Sequence, residues 1–117
     1  MNLDKAISAH ADWKMKFRNA IAKQEKLDDA TIRVDNACPL GKWLHGEAKA
    51  AHGKLASYGN CLKKHAAFHQ EAGKIAALIN AGKYSEAEAM MASGTPYAAA
   101  SGEVGVAVIG FRKEAKL

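Results

Sequence analysis

Residues 53–82, GKLASYGNCLKKHAAFHQEAGKIAALINAG, decide the fold that the sequence predicts. Between the two terminal glycines, apolar residues and histidines recur in steps of three and four, the spacing that puts side chains on one face of an α-helix. This stripe is heptad-like and predicts a long helix that faces the core of a helix bundle, ending at Gly82. Its members are Leu55, Tyr58, Leu62, His65, His69, Ala72, Ala76 and Ile79.

The segments before this helix predict one long helix, a connection and one short helix. A helical stripe extends from Leu3 to about Lys26, whereas the polar residues of 27–37 favour a turn. Pro39 fits the first position of a short helix that continues to about Lys49, because proline's missing N–H costs nothing there. Cys38 therefore lies at or beside the N-terminus of that helix.

The segments after Gly82 predict two further helical stretches. Ser85 and Glu88 form a capping box for a helix through Met90 and Met91. The sequence 94–96, Gly-Thr-Pro, marks a break or a kink before a last helix. We therefore expect an all-α protein, an antiparallel four-helix bundle with a short extra helix that carries Cys38.

The composition is typical of one globular domain covering 1–117. The chain has 117 residues, 49% hydrophobic and 25% charged, with no apolar run long enough to span a bilayer and no secretory signal. Two cysteines are too few for a disulfide framework, so we expect a cytoplasmic protein without membrane insertion. The net charge is +5, but the lysines are scattered among acids, which argues against nucleic-acid binding.

Three histidines fall on the stripes that should be buried. His65 and His69 are four residues apart on one helix, and His10 interrupts the apolar stripe of the first helix. A buried polar group without a partner costs about 1–3 kcal/mol. A single shared metal ion would satisfy all three imidazoles at once.

Cys38 is a fourth candidate ligand, because a helix N-terminus lowers the pKa of a thiol and the thiolate binds metals. Three nitrogens and one sulfur suit tetrahedral Zn²⁺, although copper would bind such ligands more tightly in principle.

Cys61 lies one turn before His65 and is interpreted as a packed core residue, with a substitute ligand or a resolving thiol as alternatives. His45 and His52 are expected to be exposed to solvent.

Three motifs in this order resemble the chemoreceptor zinc-binding domain family: His10-Ala-Asp-Trp13, Cys38-Pro-Leu-Gly41-Lys-Trp43 and His65-Ala-Ala-Phe-His69. The resemblance implies a four-helix bundle and a homodimer, with one zinc per protomer held by His10, Cys38, His65 and His69. It also implies a cytoplasmic sensory role attached to chemoreceptors or to diguanylate cyclases. In part of that family the zinc-bound cysteine is regarded as a redox switch for oxidants such as hypochlorous acid.

The predicted site favours a regulatory module over an enzyme. The chain has no nucleotide loop, no Ser-His-Asp order and no glutamate placed to act as a general base beside the histidine pair. We expect the Cys38 segment to be the mobile part of the site, released on zinc loss or thiolate oxidation. Two alternatives stay open: a small enzyme with an open three-histidine zinc site, and a metal-free helical interaction module.

Overall fold

The computed structural model describes residues 1–117 and is all-helical, as the sequence predicts. One connected apolar core joins the helices. No helix combines the length and the apolar character that crossing a membrane requires. The helices, in chain order, are α1 (Leu3–Ala11), α2 (Trp13–Lys23), α3 (Asp29–Ile32), α4 (Pro39–His45), α5 (Glu47–His52), α6 (Ala56–Asn80), α7 (Tyr84–Met90) and α8 (Pro96–Ala115).

Helix α6 is the central element, and its C-terminus ends as the sequence predicts. Gly82 adopts a φ of 76°, a left-handed conformation that a side chain would strain. Its N–H donates to the carbonyl of Ile79, and the N–H of Lys83 donates to that of Leu78, which is the Schellman pattern. At the other end the expectation is wrong by three residues, because Gly53 ends α5 and α6 begins at Ala56.

Helix α8 packs along α6 in the opposite direction. At one end Ser57, near the start of α6, donates its hydroxyl to Glu114, near the end of α8, over 2.6 Å. At the other end the rings of Phe68 and Tyr97 lie 5.7 Å apart, with Tyr97 near the start of α8. The two longest helices are therefore antiparallel.

The predicted first helix is divided into α1 and α2 at Asp12. Hydrogen bonding continues through the division, because the N–H of Asp12 donates to Ser8 and its carbonyl accepts from Lys16. Asp4, at the start of α1, pairs with Arg112 near the end of α8, and the ring of Phe17 on α2 lies 6.1 Å from that of Tyr97 near the start of α8. Helices α1 and α2 therefore run antiparallel to α8 and in the same direction as α6.

Three further boundaries differ from the sequence prediction. The connection 27–37 contains one helical turn, α3, in which the Asp28 carboxylate accepts from the N–H of Thr31. The short helix is divided at Gly46 into α4 and α5. The capping box at Ser85 is wrong, because α7 already begins at Tyr84 and has no side-chain cap. The fourth boundary agrees with the prediction of a break or a kink before the last helix: the chain breaks there, and Thr95 caps α8.

Side chains of α6 hold the segment between α2 and α6 in place. The Asn80 amide oxygen accepts from the N–H of Leu27 over 2.7 Å, and its amide nitrogen donates to the Leu27 carbonyl over 2.8 Å. The hydroxyl of Tyr58 donates to the carbonyl of Leu44 over 2.7 Å. The segment that carries Cys38 is thus fixed on both sides to one helix.

Candidate metal centre

Three helices bring four candidate ligands to one point in the core. The imidazoles of His10 on α1 and of His65 and His69 on α6 are buried, and the half-buried thiol of Cys38 comes from the residue that caps α4. Their ligand atoms form one cluster that could hold a metal ion. The structure therefore brings together all four residues that the sequence singles out, and their binding of zinc stays a prediction.

The four ligand atoms have the separations of a small tetrahedron. The Nε2 atoms of the three histidines lie 3.0, 3.1 and 3.3 Å from one another. The Cys38 sulfur lies 3.2, 3.5 and 3.8 Å from those nitrogens. Ideal tetrahedral zinc, with its usual bond lengths, requires about 3.3 Å between nitrogens and about 3.6 Å between nitrogen and sulfur. The cluster therefore fits a tetrahedral ion of this size.

Backbone carbonyls set the tautomers of two histidines. The Nδ1 of His10 lies 2.6 Å from the carbonyl oxygen of Ala6, and the Nδ1 of His69 lies 2.8 Å from that of Ile32. A carbonyl oxygen only accepts, so each Nδ1 carries the proton and each Nε2 presents a lone pair. Two lone pairs that converge over 3.3 Å repel each other, and a cation between them turns the repulsion into attraction.

Gly41 allows the cysteine segment to approach α6 closely. A Cβ on Gly41 would lie 1.8 Å from the carbonyl oxygen of Asp35 and 3.1 Å from the Cε1 atom of His65. The N–H of Gly41 also donates to the Cys38 sulfur over 3.4 Å. Only glycine fits here, because the backbone oxygen of Asp35 cannot rotate away as a side chain could.

Burial keeps the three imidazoles neutral. Burial first, and then the neighbouring His69 and His10, lower the pKa of His65 to about 3. Burial also lowers the pKa of His10 and of His69, against the opposing effect of their backbone hydrogen bonds. Neutral imidazole is the form that donates a lone pair to a metal.

The pKa of Cys38 differs from the sequence expectation. Burial raises the pKa of this thiol, and the N–H groups at the start of α4, that of Gly41 first, lower it by less. The helix N-terminus alone therefore does not stabilise a thiolate in this position. A cation beside the sulfur would supply the missing stabilisation.

Two cavities reach the Cys38 side chain from different directions. One, of ≈ 430 Å³, lies between α1–α2 and the start of α4 and is also bordered by His10. The other, of ≈ 330 Å³, lies beside α3 and is also bordered by His69. Small molecules could thus approach the thiol without the core opening.

The remaining candidate residues lie outside the cluster. His45 is exposed, as expected, and its Nε2 lies 2.9 Å from a carboxylate oxygen of Asp35. His52 is half-buried rather than exposed, because its ring packs against Phe111. Cys61 is fully buried in the apolar core, in agreement with its interpretation as a packing residue.

Sequence reasoning missed three supporting groups of the site: the carbonyls of Ala6 and Ile32, and the contact that makes Gly41 necessary. Every residue has a backbone carbonyl, so the identity of a residue does not show which side chain its carbonyl will contact in the fold. Gly41 did carry a signal, since glycine is unusual inside the first turn of a helix unless something approaches it closely.

The comparison with protein families gives one match. The model of the family described as chemoreceptor zinc-binding domain matches residues 10–76, more than half of the chain. The matched span contains all four residues of the cluster. No curated protein and no solved structure matches the chain.

Proposed function

We propose, since this chain belongs to the chemoreceptor zinc-binding domain family, that it is a cytoplasmic sensory module with Zn²⁺ as its metal. In this proposal His10, Cys38, His65 and His69 are the four ligands. One observation carries it: three imidazole Nε2 atoms, two of them fixed as acceptors by backbone carbonyls, converge with a sulfur at tetrahedral separations. The antiparallel four-helix bundle belongs to the same proposal, supported by the opposed directions of α6 and α8.

The chain is a metal-binding module rather than an enzyme. The family description names a binding domain and no reaction. Four protein ligands around one zinc ion leave no open position for a substrate, the arrangement typical of structural rather than catalytic zinc. A three-histidine enzyme site would require Cys38 to lie away from the three nitrogens, whereas its sulfur is within 3.8 Å of each.

Regulation through the Cys38 segment is the mechanism that this geometry favours. Zinc bound here would supply the positive charge that a buried thiolate needs. The three histidines lie on helices that core packing holds, whereas Cys38 lies between a loop and a short helix. Loss of the Cys38 contact would therefore change the conformation of residues 33–43 before it disturbs α1 or α6. A partner that contacts this segment would sense the change.

Oxidation of Cys38 is a second input to the same segment. A thiolate attacks the chlorine of hypochlorous acid, the O–Cl bond breaks and hydroxide leaves. Water then hydrolyses the sulfenyl chloride to sulfenic acid, chloride and a proton, so that two electrons have passed from sulfur to chlorine. The two cavities beside the sulfur support access for such a small oxidant. The oxidised sulfur would bind zinc more weakly, because the thiolate is the ligand form.

The proposed partners are a second copy of the chain and the signalling output domain of a chemoreceptor or diguanylate cyclase. Apolar side chains on the outer face of α8 support an interface there. Val106 is 71% exposed, and Ile109, one turn further along, is 38% exposed. Exposed apolar residues on one face of a helix are typical of helix-to-helix contacts between protomers.

The test is the metal content of untagged protein, purified without chelator or added metal and measured by mass spectrometry. We expect about one zinc per chain, as for a closed four-ligand site. The variants Cys38→Ala and His65→Ala should lose most of it. Cys61→Ala and His52→Gln are matched controls outside the cluster and should keep it. Metal-free parent protein that stays folded would contradict the proposal and favour the metal-free interaction module.

A further inference from the structure

A cavity of ≈ 430 Å³ lies between α1–α2 and the start of α4. One wall follows one face of the two N-terminal helices, including Ala9 and Trp13, and the opposite wall includes Leu40. His10 and Cys38 border it as well. Its size falls within the range of pockets that hold small organic molecules.

The charges around this cavity have one sign. Lys5 and Lys16 line it, and no aspartate or glutamate does. The Lys16 ammonium lies 4.6 Å from the centroid of the Trp13 ring, so the positive charge is held against the apolar wall. The cavity on the other side of Cys38 has the opposite character, since it is lined by Asp28 and by no lysine.

We propose that this cavity binds a small organic monoanion with an apolar body, a medium-chain carboxylate. The hydrocarbon chain contacts Trp13 and Leu40, where burial of apolar surface favours it. The carboxylate interacts with the ammonium groups of Lys5 and Lys16. The cavity beside Asp28 would repel the same molecule.

Such a ligand would couple to the metal site, and in this respect the inference rests on the proposed function. The two walls belong to the elements that carry His10 and Cys38. A molecule that contacts both walls favours the arrangement in which the Cys38 sulfur meets the histidine nitrogens. The coupling is reciprocal, so that the carboxylate raises zinc affinity by the factor by which zinc raises carboxylate affinity.

The experiment is calorimetric titration of the untagged chain with octanoate, with zinc content measured on the same preparation. We expect one octanoate per chain. The double variant Lys5→Gln/Lys16→Gln should bind about fivefold more weakly, as for the loss of two exposed ionic contacts. The matched control Lys63→Gln/Lys113→Gln removes two exposed lysines elsewhere and should bind octanoate as the parent does.

A second variant fills the cavity without changing its charge. Ala9→Trp places a large ring from α1 into the space, and we expect it to lose octanoate binding while its circular dichroism spectrum stays helical. With a chromogenic chelator as competitor, octanoate should raise the zinc affinity of the parent chain but not of Ala9→Trp.

The possible failures are distinct. A preparation with one zinc per chain and no saturable octanoate binding overturns this inference and leaves the proposed function standing. Equal affinity for octanoate and 1-octanol overturns the anionic class. If the parent chain is a dimer that does not bind octanoate, and Ala9→Trp is a monomer, then a second copy of the chain fills the cavity. That result also overturns the inference. A zinc-free chain that binds octanoate supports the cavity and contradicts the metal site.

Discussion

At the scale of single residues, two buried tyrosines differ in whether their hydroxyl groups have a partner. Tyr58 donates to the carbonyl of Leu44 and thereby holds the end of α4 against α6. The ring of Tyr97 packs against Phe17 and Phe68, and its buried hydroxyl has no hydrogen-bond partner in the protein. Burial raises the pKa of Tyr97 to about 12, so the side chain is a neutral phenol at neutral pH.

Removing the two hydroxyl groups should therefore have opposite effects on stability. Tyr58→Phe leaves a buried carbonyl unsatisfied and should lower the free energy of unfolding by about 1 kcal/mol or more, whereas Tyr97→Phe removes an unsatisfied donor and should raise it by up to about 1 kcal/mol. Urea denaturation of both variants measures this. A loss of equal size in both would mean that the Tyr97 hydroxyl has a partner after all.

Some residues of the candidate site could be predicted from the sequence, and other groups of the site could not. His65 and His69 could be predicted because helical periodicity alone puts them on one face, and Cys38 because Pro39 marks a helix start. The carbonyl of Ile32 could not, because it meets His69 only after the chain has folded back on itself. The raised pKa of Cys38 was missed for a related reason, since burial depends on the packing of α1 and α6 around the thiol.

At the scale of elements, the contact between α4 and its preceding loop depends on one glycine. Gly41→Ala would force the Asp35 carbonyl to move, because the new Cβ would lie 1.8 Å from its oxygen. We expect the free energy of unfolding to fall by about 2 kcal/mol. We also expect zinc affinity to fall about tenfold, because the supporting contacts of the ligand are displaced.

Gly59 provides a matched control on α6. A Cβ at this position would meet no atom within 4 Å. Gly59→Ala should therefore stabilise the helix by about 0.5–1 kcal/mol and leave zinc affinity unchanged. Thermal unfolding and chelator competition on both variants measure the contrast. Unchanged zinc affinity in a folded Gly41→Ala protein would show that the close approach does not position Cys38.

Helix boundaries explain most of the differences between the predicted and the observed elements. Periodicity in the sequence continues across Asp12 and Gly46, although each of these residues ends one helix and begins the next. The division depends on local backbone angles, such as φ −113° and ψ −105° at Gly46, which the apolar pattern does not encode. Conversely, Pro39 fixes φ and Gly82 has a positive φ, and the helix ends that these two residues mark were predicted from the sequence.

At the scale of the whole molecule, the candidate metal centre joins elements that are far apart in the sequence. A zinc ion at this point would connect α1, the start of α4 and α6, so its binding free energy would add to the free energy of folding. Removing it with a chelator should lower the melting temperature by roughly 10 °C, for a site at 100-fold ligand excess over Kd and a domain of this size. The Cys38→Ala protein should melt at nearly the same temperature with and without chelator.

The proposed homodimer is testable through the outer face of α8. Val106→Asp places a charge where an apolar contact between protomers is proposed. We expect the oligomeric state, measured by sedimentation analysis, to change from dimer to monomer. Met15→Asp is a matched control, since Met15 is 67% exposed on α2. It should leave the dimer intact. A Val106→Asp protein that remains dimeric would place the interface elsewhere.

The hydrogen bonds from α6 to Ile32 and Leu44 have a kinetic consequence for Cys38. His69 holds the carbonyl of Ile32, Tyr58 holds that of Leu44, and Cys38 lies between them. A thiol tethered at both ends of so short a span stays near the three imidazoles after it dissociates, at an effective concentration on the order of millimolar. Recapture should then outpace diffusion of any external thiol into the site. Release of this cysteine is thus an event that the chain can reverse by itself, many times, without unfolding.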